Sequence, residues 1–346
     1  MSQENTHEIN GISDFLNQAG TQFKIFDMGR RIQEISKDDF LSFEQGKTTY
    51  PFPLQQQAWL GFIVWTEDKS AELVIWFLRF PLDASGKMTS GIRDDFVLRL
   101  INKDGKQAEK DEASNPYGYK PKQEQLASFH AKAAKTLGQP ASSYYEHARD
   151  YFAGKPGFDQ WAFVGFQGIA DVCARLDESN NREELAAAIE HIPAQPFEAL
   201  AQCLEHESLD DSISKPITLL IDKELAKTDC NANYISLCIR ALSNTQNHNL
   251  LNEQLEKILK TPIGINPEVI ASISGRCWLA LQNETIGLLF LEALAHCAEG
   301  QEFFNLVIID LINIPGMQDS IHKAVRSSER SEKLSQAIGE LFKNFT

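Results

Sequence analysis

The chain lacks the short motifs that most catalysis and cofactor binding rely on. It has no Gly-x-Gly-x-x-Gly and no Gly-x-x-x-x-Gly-Lys-Ser/Thr run, so nothing marks a glycine-rich phosphate cradle. His-Glu-x-x-His, Gly-x-Ser-x-Gly and Cys-x-x-Cys are likewise missing, which leaves no local signature for a zinc hydrolase, an esterase nucleophile or a redox pair. Only 6 cysteines occur in 346 residues. Cys203, Cys238, Cys277 and Cys297 fall in apolar helical stretches, and the expectation is buried small hydrophobes rather than a disulfide framework. No catalytic residue, metal site or cofactor is therefore expected.

Long apolar runs are missing too. Leu73–Leu78 and Leu306–Ile309 are far shorter than the roughly 20 residues of a membrane span. The first residues, Met1 to Asn10, are polar and acidic, without the apolar centre of a signal peptide. The cytoplasm is the expected compartment, with no membrane partner.

Cations are also in short supply. Against 48 Asp and Glu stand 33 Lys and Arg, a formal charge of −15. The imbalance is concentrated: residues 180–322 hold 20 acidic and 8 basic side chains. Phosphate backbones are held by Lys and Arg, so nucleic acid is a poor partner for such a chain. Structured RNA on residues 1–179 is disfavoured because that region is itself net negative.

What is present reads as two architectures. Residues 10–20 form a short helix ending at Gly20, and Phe23–Phe26 and Ile32–Ile35 alternate as strands around an Asp27-Met28-Gly29 turn. Ser36 to Asp39 is a capping box for a helix through Phe43. After Pro51-Phe52-Pro53 come strands at Ala58–Trp65 and Glu72–Phe80, joined through Glu67–Ser70. Both are apolar on both faces, so both are expected in the middle of a sheet covered on each side. A helix follows over Ile92–Ile101. Residues 102–122 break the pattern, and Tyr117 and Tyr119 are expected to pack that loop down locally.

From Gln123 the chain is helical, at about 123–137, 142–153 and 158–176, and then periodic. Leu200, Leu237, Ile273 and Val307 recur at similar places in successive helices. Second helices lie between them at about 214–228, 248–260, 284–298 and 318–344, with starts marked by Ser214 before Pro216, by Asn266-Pro267-Glu268 and by Asn283-Glu284. A helix pair of this period cannot bury its apolar side alone and must stack on its neighbours. The fold class expected is an α+β N-terminal unit, a small antiparallel sheet with flanking helices, followed by an all-α HEAT-like helical-repeat solenoid. The expected domains are residues 1–103, a surface loop 104–122, connecting helices 123–194 and a solenoid 195–346 of about four helix pairs.

Four segments together, Phe26-Asp-Met-Gly-Arg-Arg31, Pro51-Phe-Pro-Leu54, Ile75 to Asp83 and Gly165-Phe-Gln-Gly-Ile-Ala-Asp171, resemble a gammaproteobacterial domain-of-unknown-function family, number thirty-five forty-nine. The resemblance runs along the whole chain and implies one evolutionary unit. It implies no activity, substrate or site.

Candidate positions follow from charge placement. Asp27-Met-Gly-Arg-Arg31 has two readings. Gly29 at φ > 0 in a tight turn could project Arg30 and Arg31 together toward a carboxylate or phosphate. Alternatively, Asp27 caps the turn and the arginines pair with nearby acids. Arg79 near a strand end is expected to pair with Asp83 or Asp95, with Arg93 beside them. Gln167 and Asp171, one helical turn apart, are expected to satisfy a helix contact, and Cys203 with His206 is the one metal-like spacing. The leading expectation is a protein-binding adaptor or regulator whose acidic helical surface takes a partner with a basic patch. The competing expectation is an enzyme or small-molecule binder with Arg30, Arg31, Arg79, Asp83 and His130 lining a pocket between the α+β unit and the first helices.

Overall fold

The computed structural model describes residues 9–66, 73–102 and 115–343. The expected turn at 67–70, the start of the second long strand and most of the 102–122 loop lie outside them, as do residues 1–8 and 344–346. The chain divides into two compact units, residues 1–121 with 313–315, and residues 122–312 with 316–346.

Unit one contains α1 (Ile12–Gln18), β1 (Gln22–Asp27), β2 (Gln33–Ile35), α2 (Lys37–Glu44), β3 (Gln57–Trp65), β4 (Val74–Pro81) and α3 (Ser90–Asn102). The strands form one antiparallel sheet in the order β2-β1-β3-β4, with Ile25 opposite Phe62 and Phe62 opposite Trp76. One sheet face, bearing Phe23, Ile25, Leu60, Phe62, Leu78 and Phe80, packs into a core with Ile12 and Leu16 of α1, Phe40 and Phe43 of α2, and Phe96 and Leu100 of α3. Period-two alternation aims these residues to the same side. On the other face Phe26 and Ile63 are buried, while Trp59, Ile75 and Phe77 are half-exposed.

β3 is central, as its two apolar faces require, but β4 is the edge strand. Its outer rim is met by the segment after the loop: the Arg79 amide donates to the Tyr117 carbonyl at 2.7 Å and the Tyr119 amide to the Phe77 carbonyl at 3.1 Å. The two tyrosines pack this segment down. Tyr117 lies against Phe80 and Phe96 and donates its hydroxyl to Asp95, whereas Tyr119 lies edge-on to Trp59 and Phe77. An apolar edge strand is thus covered locally, which is one way proteins keep such edges from pairing with other chains.

The helix signals hold at α2, where the Ser36 hydroxyl accepts from the Asp39 amide. Glu44, at the other end of α2, is buried and accepts the amides of Ile12 and Ser13 at the start of α1. Burial raises its pKa against the pull of these hydrogen bonds.

Unit two is helical: α4 (Gln123–Thr136), α5 (Tyr145–Phe152), α6 (Phe166–Ala174), α7 (Asn181–Ala188), α8 (Ala194–Leu204), α9 (Asp211–Leu225), α10 (Ala232–Leu242), α11 (His248–Leu259), α12 (Pro267–Arg276), α13 (Glu284–His296), α14 (Gly300–Ile312), α15 (Met317–Val325) and α16 (Glu332–Lys343). Their contacts run in two series. In the first, α4 packs on α6, α6 on α8, α8 on α10, α10 on α12 and α12 on α14. In the second, α5 packs on α7, α7 on α9, α9 on α11, α11 on α13 and α13 on α15.

Four expectations are corrected here. The stretch 158–176 is a 3-10 turn at Trp161–Phe163 followed by the shorter α6, because Gly165 interrupts it in extended backbone. The helix at 318–344 is two helices, α15 and α16, separated by the charged residues 326–331. The second helix near Ser214 starts earlier: Asp210 caps it through the Ser212 amide, and Pro216 sits inside α9. Leu237 is half-buried, and Ile235, Cys238 and Ile239 occupy the core side of α10 instead. Asn266 and Asn283 do cap their helices, and Pro267 opens α12. Cys203, Cys238, Cys277 and Cys297 are buried and form no disulfide among the described residues.

Between Leu54 and Gln57 the chain reverses with Gln55 at φ 54° and Gln56 at φ 55°. Two consecutive left-handed residues are what a two-residue hairpin turn demands, and asparagine and glycine suit it far better than glutamine. Replacing the pair, Gln55→Asn with Gln56→Gly, should raise unfolding free energy by about 1 kcal/mol. Urea denaturation would measure the gain, and a loss of stability would show that the glutamine side chains hold the turn.

Candidate functional site

The most concentrated polar arrangement of unit one is built on Asp27, the last residue of β1. Its carboxylate is fully buried. One oxygen accepts from the Gly29 amide at 3.1 Å and the Tyr50 hydroxyl at 2.7 Å; the other accepts from the Arg30 and Arg31 amides, each at 3.2 Å. A carboxylate out of water needs such donors, and the chain supplies them by turning the amides of Gly29, Arg30 and Arg31 back toward it, while the Met28 amide donates to the Trp59 carbonyl. Burial still dominates and pushes the Asp27 pKa up to about 6, against the lowering effect of Tyr50 and the three amides.

Of the two readings of the turn, the capping role of Asp27 is present. Gly29 does not adopt a positive φ. Its lack of a side chain matters for space, because a Cβ there would lie 3.1 Å from Trp59 Cδ1. Arg30 is fully buried, and its Nε donates to the Pro53 carbonyl at 2.8 Å. Arg31 is buried as well. Trp59 Nε1 donates to the Leu54 carbonyl, and the Tyr50 hydroxyl also reaches the Trp59 carbonyl at 3.2 Å. The segments 26–31 and 51–54 therefore brace one another through buried hydrogen bonds.

The remaining unit-one candidates stand apart from that centre to different degrees. Arg79 is exposed, with its guanidinium 5.2 Å from the Trp59 ring centroid. Asp83 accepts from the Ser85 and Lys87 amides and the Ser85 hydroxyl, and these bonds lower its pKa. Asp95 pairs with Arg99 and Tyr117, and Arg93 with Asp94. Neither expected pair, Arg79–Asp83 or Arg79–Asp95, forms among the described residues: each acid finds donors within a few residues, and Arg79 lies over an aromatic ring on the other face. His130 belongs to unit two, on α4, where it is exposed beside Phe129 and desolvation lowers its pKa.

Asp171 and Glu205 are among the buried carboxylates of unit two. Asp171 accepts from the Ser142 amide and hydroxyl, at 3.1 and 2.5 Å, and from Arg175 at 3.3 Å. With Gln167, which donates to the Ala127 carbonyl on α4, it satisfies helix contacts as its spacing suggests. Arg175 also borders a surface cleft of about 380 Å³ shared with Lys135, Tyr145 and Glu146. Glu205, after α8, takes Arg240 of α10 through both carboxylate oxygens, at 2.6 and 3.0 Å, and Arg276 of α12 at 3.0 Å. His206 Nε2 lies 3.8 Å away. Burial acts to raise the Glu205 pKa, but Arg276, His206 and Arg240 outweigh it and hold the group down at about 2. Cys203 accepts from the Ser128 hydroxyl at 3.8 Å.

A family described as "Protein of unknown function (DUF3549)" matches residues 7–342. The chain belongs to that family. No curated protein and no solved structure matches it. In this DUF3549 member the segments that carry the likeness include Asp27, Arg30, Pro53, Gln167 and Asp171, residues engaged in holding elements together.

Sequence reasoning missed the Glu205–Arg240–Arg276 cluster. The signal was present: the two arginines stand one helix pair apart at the same end of successive first-series helices, and Glu205 stands one pair earlier. Reading the repeat for charge as well as for leucine would have aligned them.

Three outcomes are expected. Asp27→Ala leaves three amides and a tyrosine hydroxyl without their acceptor and should cost roughly 3 kcal/mol of unfolding free energy. Because the folded pKa of Asp27 lies above its ordinary value, its protonated form is favoured by folding. That contribution is complete below about pH 4 and is lost as pH rises through about 6. The stability difference between wild type and Asp27→Asn, measured from pH 4 to 8, should therefore shift against the wild type across that window; a flat difference would refute the buried-acid account. Glu205→Ala should likewise cost roughly 3 kcal/mol, since it leaves two guanidiniums facing each other without their shared anion.

Proposed function

We propose that unit two is a HEAT-like helical-repeat solenoid, and that the protein is a cytoplasmic adaptor or regulator that binds a protein partner on this acidic surface. The observation that carries the reading is the spacing of cross-helix bonds. Ser236 meets Ser272 at 2.5 Å, Asp211 meets Asn247 at 2.8 Å and Asp222 meets Lys257 at 2.9 Å, and in each case the partners stand one helix pair apart in the sequence. Contacts made one pair at a time are the mark of an architecture in which each repeat rests on its neighbours. Such stacks expose long continuous faces, and the usual ligand of a face of that kind is another protein.

The sign of the partner follows from charge. With a formal charge of −15, the chain attracts basic surfaces and repels nucleic acid and anionic lipid at the encounter stage. No helix of the described residues is long and apolar enough to cross a membrane.

The test is affinity capture by the full chain from its native cell at low ionic strength, followed by a high-salt wash. A specific protein released by salt supports the reading, and the absence of any salt-sensitive protein partner overturns it.

A further inference from the structure

The cations of unit two are unevenly placed. The first-series helices α8, α10, α12 and α14 contain no lysine. Their only arginines, Arg240 and Arg276, pair with the buried Glu205 while staying 26% and 24% exposed, and Glu198 also acts on Arg240. Lys333 and Lys343 stand on α16, which packs on α13 and α14, and other lysines of this region lie in the second series: Lys215 and Lys223 on α9, Lys257 on α11 and Lys323 on α15. Each of these four second-series lysines is paired with a carboxylate, Asp211, Glu190, Asp222 and Glu284 respectively.

Each first-series helix has accessible positions at helical spacing, and the helices pack in order. Exposed carboxylates stand among these positions at Glu198 of α8, Glu268 of α12 and Glu302 of α14. Between them lie uncharged residues: half-buried Leu237 on α10, exposed Ala271 on α12 and Leu306 on α14, which is 68% exposed. A leucine that open has no partner within its own core, and scattered leucines of that kind are unremarkable alone. Here the leucine continues a series of apolar positions with acids nearby, on helices whose only cations, Arg240 and Arg276, share Glu205.

We infer that the outer face of α8, α10, α12 and α14 is the docking surface, and that its occupant is an amphipathic helix of a partner protein carrying lysine or arginine on both sides of a narrow apolar stripe. The inference rests on the adaptor reading above and adds to it the face and the form of the ligand. Charge complementarity selects this occupant. The carboxylates would pair with the flanking cations, the small residues Ala271 and Gly275 permit close approach of a helix, and Leu237 and Leu306 would pack on the stripe. A second copy of this acidic chain would bring like charge to the face, and a phosphate backbone would do the same.

Two measurements test it on the full-length protein. In the first, fluorescence anisotropy follows a labelled lysine–leucine amphipathic helix and its scrambled isomer. The ordered peptide should bind more tightly than the scrambled one, and Leu306→Asp or the triple change Glu198→Lys, Glu268→Lys, Glu302→Lys should weaken it by at least about tenfold. Glu183→Lys with Glu253→Lys, on the second-series helices α7 and α11, should leave it within about twofold. Equal binding of the two peptides, or equal loss in both sets of variants, would overturn the assignment. In the second, a carbodiimide couples carboxylates of the protein directly to lysines of the partner captured at low salt. Adducts at Glu198, Glu268 and Glu302 are expected. Adducts confined to α7, α9 or α11 would remove the face while leaving the adaptor reading standing, whereas failure to capture any partner would remove the adaptor reading itself. Circular dichroism and thermal melting of each variant separate lost binding from lost folding.

Discussion

A carboxylate taken out of water must collect hydrogen-bond donors, and those donors have to come from other parts of the chain. That requirement recurs at four places where elements of this protein are tied together. Asp27 gathers the amides of Gly29, Arg30 and Arg31 and the hydroxyl of Tyr50. Glu44 holds the start of α1 to the end of α2, Asp171 ties α6 to the segment before α5, and Glu205 joins the ends of α8, α10 and α12. The apolar core supplies most of the driving force for collapse, but it is non-directional. Buried carboxylates with several donors each are directional, and they select one arrangement among the many that would bury the same leucines and phenylalanines.

The same chemistry has opposite consequences at two of these sites. At Asp27 the donors are neutral amides and a phenol, so burial wins and the proton is retained up to about pH 6. At Glu205 the donors are two guanidiniums with an imidazole near them, and the carboxyl stays ionised down to about pH 2. The first is a polar bracket whose charge is costly. The second is a charge cluster in which two guanidiniums share one carboxylate, so a net positive charge stays at that end of α10 and α12. In this sense a buried ion cluster shapes the electrostatics of a surface.

Much of the local structure was legible. Alternating apolar residues marked β1 and a run apolar on both faces marked β3; Ser36, Asn266 and Asn283 marked helix starts, and Tyr117 and Tyr119 marked where a loop would be held. The errors have physical causes. β4 looked central because it is apolar on both faces, but a segment almost forty residues later in sequence covers its rim and one of those faces. Pro216 looked like a helix start, yet Asp210 caps α9 earlier and the proline is accommodated within it. Leu237 looked like the core position of its helix, although the helix is rotated so that Ile235, Cys238 and Ile239 face inward. The expected pairing of Arg79 failed because Asp83 and Asp95 meet closer donors.

By itself the sequence determined which residues would leave water, where most helices begin, the excess of negative charge and the family to which the chain belongs. These depend on composition, periodicity and neighbours a few residues apart. Only the tertiary structure decided that β4 lies at an edge, that Asp27 and Arg30 are wholly buried, and that Glu205 captures two arginines from helices further along the chain. Those outcomes turn on which surfaces meet across long separations, and a charge has the same one-letter code whether it ends in solvent or under two guanidiniums.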